Sequence, residues 1–518
     1  TLNRQPSADR KSACSPLTSS VAIATRSLPS ARTTRRVRAL SAQTPRQFQR
    51  ALRFPGHPAP VALGRLGVAN ASKKSRSVRA TFDAVDLDNE GSPRSGFDAV
   101  TALTVYLIFL LLIPSDLVVP GLGNLGAPAI LWGFVCLLWW TWHSLTRRER
   151  FSRWSPVEVA VIVLFAAVLL SYIFAMLRPI PGDEVLPADR GLLRMLSFLG
   201  VTLVAATGIP NFARLFALLR RFAGITGVVA FLGIIEFALA TPITRMLTIP
   251  GLVSSGYIGT EVRGGYLRPS ATAIHPLEYA TMLSVAFPVA LILAMRTRGK
   301  SRYLMLASAG AIGLALVLAG SRSAILGLVV GVIPLVLVLG ARERILAATG
   351  GALTVVAIYV LVPGMLGTLR YMFATAGEDS SIISRTESFG VFELMLPVSP
   401  WVGRGLGTFL PSYRIFDNQL LNLVLELGII GTVAFLALYG CAIWCALTCR
   451  TAPPIIAGAA IALAASCVVA VMLSAFFDSF SFPKAFGVLA LLPGLCGACW
   501  MLNMRLREDS RSLRYHVA

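Results

Sequence analysis

Three arginines in this chain of 518 residues stand where a positive charge is costly to place. Arg268 lies in GYLRPSATAIHP, Arg322 in LAGSRSAILG and Arg385 in IISRTESFG, each beside or between long apolar runs. A long cationic side chain there either snorkels to a polar boundary or clamps an anion such as a phosphate, which a guanidinium holds bidentately. Arg322 has the least freedom, because almost no loop separates the apolar runs on its two sides. His275, followed by Pro276, is a candidate for catalysis, for substrate positioning or for a helix entry. Asp417 and Asn418 end a long polar stretch and read either as a base with its neighbour or as an N-cap. Glu426 follows two helical turns into an apolar run, where a carboxylate needs a partner or a polar cavity. Glu236 and Glu278 are candidates to pair with the arginines. Gly403, Gly405 and Gly407 in PWVGRGLGTF make a flexible turn without the strand and helix that flank a phosphate loop.

These residues need elements to hold them, and composition dictates which. Hydrophobic residues make up 55% of the chain, charged residues only 14%, and the mean hydropathy is +0.71. The apolar content falls in blocks of roughly 20 residues, the length that crosses a bilayer core. The sequence therefore predicts an all-α polytopic integral membrane protein with about 12 transmembrane helices. The blocks run near 99–120, 126–145, 156–177, 191–208, 222–240, 277–295, 303–320, 323–340, 345–363, 420–440, 454–476 and 484–502. The expected organisation is a disordered basic segment 1–95, a membrane domain 96–503 with a long loop 364–419 between spans 9 and 10, and a tail 504–518.

Charge gives the spans a direction. The net charge is +22, and residues 1–95 hold 17 Lys and Arg against 5 Asp and Glu. With a cytosolic N-terminus, the inside connections are the basic ones: 146–153, 213–221, 296–302, 341–344, Arg450 and the C-terminal tail. The outside connections are neutral, mixed or acidic, and two of them, 241–276 and 364–419, are long. Both termini are thus expected in the cytosol, with the candidate chemistry on the outer face. The basic tail suits anionic lipid, and no motif supports a nucleic-acid partner. The eight cysteines show no disulfide framework; Cys441, Cys445 and Cys449 share one helix face and read as small packed side chains. No metal-ligand or cofactor spacing is present, so neither is expected.

Taken in order, RPSATAIHPLEYA, LAGSRSAILGLVVG, SRTESF with PWVGRGLGTF, and DNQLLNLVLELGIIG resemble the O-antigen ligase and O-antigen polymerase superfamily of bacterial envelope glycosyltransferases. The likeness covers about 100–500 in topology and about 265–435 in motifs. It implies a C-type glycosyltransferase fold in the inner membrane and a metal-independent transfer or polymerisation of a glycan from an undecaprenyl-diphosphate-linked donor. The acceptor would be a glycan or a lipid. On this likeness Arg268 and Arg322 match the arginines that hold the diphosphate, and Arg385 a further arginine of the long loop. Ligases of the superfamily carry His–Asn where this chain has Asp417–Asn418; polymerase-like members have Asp there. Asp417 would then act as base or acceptor orienter, with Asn418 and Glu426 in support.

A secondary transporter or flippase for lipid-linked sugars is the alternative that twelve spans allow. Such proteins show internal repeats and broken helices near the midplane. No two-half repeat is visible here, and the candidate residues gather at one face. A non-catalytic envelope scaffold would give no reason for arginines held at a membrane boundary.

Overall fold

The computed structural model describes residues 97–515 apart from 147–153, 257–260, 264 and parts of 365–379. The basic segment 1–95 lies outside the described residues. Helices fall at all twelve places where the apolar blocks predict spans. They are α1 (Ala99–Leu111), α2 (Pro128–Thr146), α3 (Pro156–Leu177), α4 (Gly182–Gly208), α5 (Phe212–Leu239), α6 (Pro276–Arg296), α7 (Lys300–Leu318), α8 (Arg322–Val338) and α9 (Ala341–Leu361), then α11 (Gln419–Leu447), α12 (Pro454–Ser474) and α13 (Pro483–Tyr515). A thirteenth helix, α10 (Ser380–Met395), belongs to the long loop before α11. Ten of these helices are long and apolar enough to cross a membrane, while α1 and α8 are shorter apolar helices. The protein is therefore an all-α polytopic membrane protein.

Helix starts follow local chemistry. Ser155 and Glu158 form a reciprocal capping box before α3, with Pro156 at the first helical position. Asn418 accepts from the Leu420 and Leu421 amides at 3.0 and 3.2 Å and so starts α11. α6 and α13 form the buried centre, whereas α9 exposes almost its whole surface.

Three boundaries depart from the sequence reading, each for a physical reason. α1 stops at Leu111 rather than near 120. The buried Lys484 ammonium donates to the Leu110 and Ile113 carbonyls at 2.8 and 2.7 Å, which caps the helix. Leu117–Val118, strand β1, then turns away to pair with β2, Val253–Ser254. α4 begins at Gly182, although 178–190 reads as a loop: Asp183 and Glu184 suit a helix N-terminus, and Glu184 is buried against arginines. α5 begins at Phe212, although 213–221 reads as a basic loop. That stretch is amphipathic, burying Phe212, Leu215, Phe216, Leu218 and Leu219. Its Arg214 pairs with Asp98 at 2.6 Å.

The alternation of the helices brings the connections 112–127, 178–181, 240–275, 319–321, 362–418 and 475–482 to one end of the bundle. Backbone and side-chain bonds link them there: Ser115 N to the Thr272 carbonyl at 2.9 Å, and Lys484 N to Glu278 at 2.7 Å. Glu278 also accepts from Ser115 Oγ and Ile274 N, so one carboxylate joins α6 to α13 and to the end of α1. The arginine-rich connections lie at the opposite end, where Arg296 pairs with Glu343 and Arg507 donates to the Thr448 carbonyl.

α11 is two helices meeting at Gly428, whose φ of 69° lies in the left-handed region. The break frees backbone groups that an apolar interior cannot leave unpaired. The turn 400–405 supplies their partners. Ile429 N and Ile430 N donate to the Pro400 and Trp401 carbonyls at 2.8 and 3.1 Å. Arg404 N and Gly405 N donate to the Leu425 and Glu426 carbonyls at 3.0 and 2.8 Å. A Cβ on Gly428 would stand 2.2 Å from the Trp401 carbonyl oxygen, and one on Gly403 2.2 Å from that of Glu426. Gly403 of PWVGRGLGTF thus serves close backbone approach to the broken helix, while a Cβ on Gly405 would meet Ala175 of α3 and one on Gly407 the Pro187 carbonyl oxygen of α4.

Gly428→Ala should lower the thermal unfolding midpoint in detergent. With ψ at −173° this positive-φ backbone is one that essentially only glycine adopts, and it costs an alanine about 1–3 kcal/mol before the clash is counted. Gly440→Ala on the same helix, with no atom within 4 Å of the added Cβ, should leave the midpoint unchanged or raise it. Equal stability of wild type and Gly428→Ala would contradict the account.

Candidate functional site

A short hairpin builds one half of the site. β3 (Val262–Arg263) pairs with β4 (Tyr266–Leu267), Val262 opposite Leu267. The next pair outward is Glu261 and Arg268, and Arg268 N donates to the Glu261 carbonyl at 2.8 Å. The two side chains meet as well: one Glu261 oxygen takes the Arg268 guanidinium and the other takes His275 Nε2. Arg268 is buried and His275 nearly so, while the Glu261 side chain keeps 36% of its surface exposed. The hydrogen bond from His275, with the charge of Arg268 added, holds the Glu261 carboxyl down at about 2. The carboxylate therefore stays charged at neutral pH.

His275 is the N-cap of α6. Its Nδ1 accepts from Leu277 N at 3.0 Å, so in the neutral ring the proton sits on Nε2 and is donated to Glu261. Both ring nitrogens are engaged in this arrangement, and the ring packs 5.8 Å from that of Phe482.

Arg268 ties the hairpin to the α7–α8 turn. Its Nε donates to the Ala319 carbonyl at 3.0 Å, three residues before Arg322. Arg322 opens α8 and is half-buried, behind a Ser321–Ser323 hydroxyl pair at 2.9 Å. The structure thus gathers Arg268, His275 and the turn bearing Arg322. Arg385 falls on α10, and its side chain lies outside the described residues. The glutamates expected to pair with these arginines do other work. Glu236 accepts from Ala271 N at 2.7 Å and from Thr244 Oγ1 at 2.7 Å, shaping the loop before α6. Glu278 joins helix ends as described above.

The other half forms around the start of α11. Asp417 is half-buried beside the Asn418 cap. Gln419 accepts from Phe480 N at 2.6 Å, and Arg194 of α4 donates to the Phe480 carbonyl while its guanidinium covers the Phe486 ring at 4.7 Å. The turn 475–482 therefore touches both halves: Phe480 meets the α11 start and Phe482 meets His275. Glu426 lies two residues before the break, buried, with Phe409 N at 3.4 Å from its carboxylate. In the same turn, desolvation pushes the Asp478 carboxyl up from the usual range, against the opposing bond from Ser481.

Glu184 anchors the long loop. Its carboxylate is fully buried and bridges Arg178 at 2.5 Å and Arg404 at 2.8 Å, and Tyr413 donates its hydroxyl to it at 2.8 Å. That hydrogen bond raises the Tyr413 phenol above its ordinary range. A second hold comes from Phe409, Phe416 and Leu425, packed against Val391, Phe392, Met395 and Leu396. The segment 399–416 is thereby pinned at both ends just before Asp417.

Residues 307–436 match the family model described as O-antigen ligase. Over this segment the chain is similar to the O-antigen ligases. The matched segment runs from α7 to the middle of α11 and includes Arg322, Arg385, Asp417, Asn418 and Glu426; Arg268, His275 and Glu261 precede it. No curated protein matches the chain. Glu261 and Glu184 are residues that motif reading passes over. Glu261 has a signal, EVRGGYLR, where a Gly-Gly turn between alternating residues sets Glu261 opposite Arg268. Glu184 has none, because its partners lie more than 200 residues away for Arg404 and Tyr413.

Glu184→Ala would leave two arginines clustered without their carboxylate, a defect on the order of 3–5 kcal/mol where such pairs are buried. The variant should show a lower unfolding midpoint and faster protease cleavage between residues 396 and 418 than wild type. Unchanged cleavage in that segment would remove Glu184 as its anchor.

Proposed function

We propose that this protein is a membrane glycosyltransferase. It transfers or polymerises a glycan from an undecaprenyl-diphosphate-linked donor, at the outer face of a bacterial inner membrane, with both termini cytosolic. The observation that carries the reading is the docking of Arg268 on the Ala319 carbonyl. It sets two guanidinium-bearing segments side by side, one of them inside the O-antigen ligase match. Paired arginines at a partly dry boundary suit a leaving group that is already a diphosphate. Such a group needs charge stabilisation more than protonation.

The chemistry follows from the residue types. The acceptor hydroxyl gives its proton to the Asp417 carboxylate. Its oxygen bonds to the anomeric carbon of the donor glycan. The bond from that carbon to the diphosphate oxygen breaks, and its electron pair leaves with the lipid diphosphate, held by Arg268 and Arg322. Arg385 is a further cation of the long loop for the diphosphate, and Asn418 and Glu426 support the helix that presents Asp417. A transport reading would need the broken helix to offer backbone groups to a passing solute. Here the groups at residues 425, 426, 429 and 430 are taken by the turn 400–405.

Purified protein incubated with a lipid-linked repeat unit should yield a ladder of lengthened glycans if it polymerises, or one product on a separate acceptor if it ligates. Arg322→Ala should cut either activity about 100-fold to 1000-fold, the scale for losing one preorganised charge-stabilising group, with membrane insertion intact. Asp417→Asn should depress kcat and leave the donor KM near the wild-type value. An Arg322→Ala protein with full transfer activity would sink the assignment.

A further inference from the structure

The Glu261 bridge occupies the groups that a donor phosphate would use. Its two oxygens take the Arg268 guanidinium and His275 Nε2–H, the geometry in which one tetrahedral oxyanion would also span them. The Glu261 backbone stays paired with Arg268 N in the hairpin, so only its side chain has to move. Its side chain is 36% exposed, against 8% for Arg268 and 12% for His275. Water can therefore take over the carboxylate if it leaves, while the two donors cannot be rehydrated in place. Both donors are also fixed without Glu261: Arg268 by the Ala319 carbonyl and His275 by the Leu277 amide. The Leu277 bond sets the tautomer as well, so Nε2 presents a proton to whatever anion faces it.

We propose that Glu261 is an internal placeholder that competes with the donor diphosphate for Arg268 and His275. On donor binding, the carboxylate swings out to water and a phosphate oxygen takes its two hydrogen bonds. His275 is then a phosphate-binding donor rather than the base that accepts the acceptor's proton. The exchange swaps one anion for another, so the buried guanidinium is never left uncompensated, which would be costly. It also makes the site selective. A neutral or weakly charged headgroup gains too little to displace a carboxylate, whereas a diphosphate, with more charge and more acceptor oxygens, can. This proposal rests on the diphosphate-donor reading above and adds the residue that sets its threshold.

The test measures binding rather than turnover. Wild type, Glu261→Gln and Glu261→Gln/Arg268→Ala, each as the full chain in detergent, are titrated calorimetrically with inorganic pyrophosphate, with undecaprenyl diphosphate and with phosphatidylglycerol. Thermal unfolding of each variant establishes that it is folded; Glu261→Ser replaces Glu261→Gln if the latter is not. Pyrophosphate and undecaprenyl diphosphate should each bind about tenfold or more tightly to Glu261→Gln than to wild type, and the double variant should lose that gain. Phosphatidylglycerol should gain little. Unchanged or weaker diphosphate binding in folded Glu261→Gln overturns the proposal, as does a gain confined to phosphatidylglycerol. Transfer from the lipid-linked donor is followed in parallel on wild type. Wild-type transfer without the affinity gain rejects the placeholder alone, whereas no wild-type transfer and no diphosphate binding by any variant rejects the diphosphate-donor reading with it.

Discussion

A helix broken inside an apolar bundle is the constraint on which the site depends. Lipid and packed hydrocarbon offer no hydrogen bonds, so each freed amide and carbonyl must find a protein partner. At Gly428 the partner is the backbone of 400–405, brought within reach because Gly403 and Gly428 lack a Cβ. The loop is therefore part of the membrane domain's hydrogen-bonding and cannot be moved without unmaking α11. Asp417, between that loop and the first half of α11, inherits a fixed position from both.

Charge at this end of the bundle is arranged in closed groups. Glu184 joins Arg178 and Arg404 with the Tyr413 hydroxyl, Glu278 joins helix starts with Lys484 close by, and Glu261 joins Arg268 with His275. The three differ in solvent access, and that difference separates their roles. Glu184 and Glu278 are fully buried and hold elements together. Glu261 is partly open, so its bonds can be exchanged for those of another anion. The same residue type thus serves as a permanent tie in two places and as a replaceable one in the third.

Much of this was legible in the residues. Twelve apolar blocks located the helices, and charge placed the basic connections together at one end. The motif arginines Arg268 and Arg322 were found by their improbable positions, and the structure brings their segments together. What failed was reading polar stretches as loops. The segments 182–190 and 212–221 are helical because their charges are compensated by Arg178, Arg404 and Asp98, partners that hydropathy does not reveal. Pairing was also misjudged: Glu236 and Glu278 had the right sign and face for the arginines, yet backbone amides and a lysine lay nearer.

The sequence by itself determined the class of protein, the helix positions and the short list of chemical groups. Those follow from local properties: length of apolar run, sign of flanking charge and residue type. Only the tertiary structure decided which groups meet. Arg268 reaches the turn before Arg322 across 51 residues, and Phe480 reaches Gln419 across 61. Contacts at such separations depend on how helices pack, and hydropathy is the same for every packing that buries the same faces. The role of His275 shows the point most plainly. Its sequence context allowed a base, a positioning group or a cap, and it gave no hint that Nδ1 meets the Leu277 amide while Nε2 meets the Glu261 carboxylate.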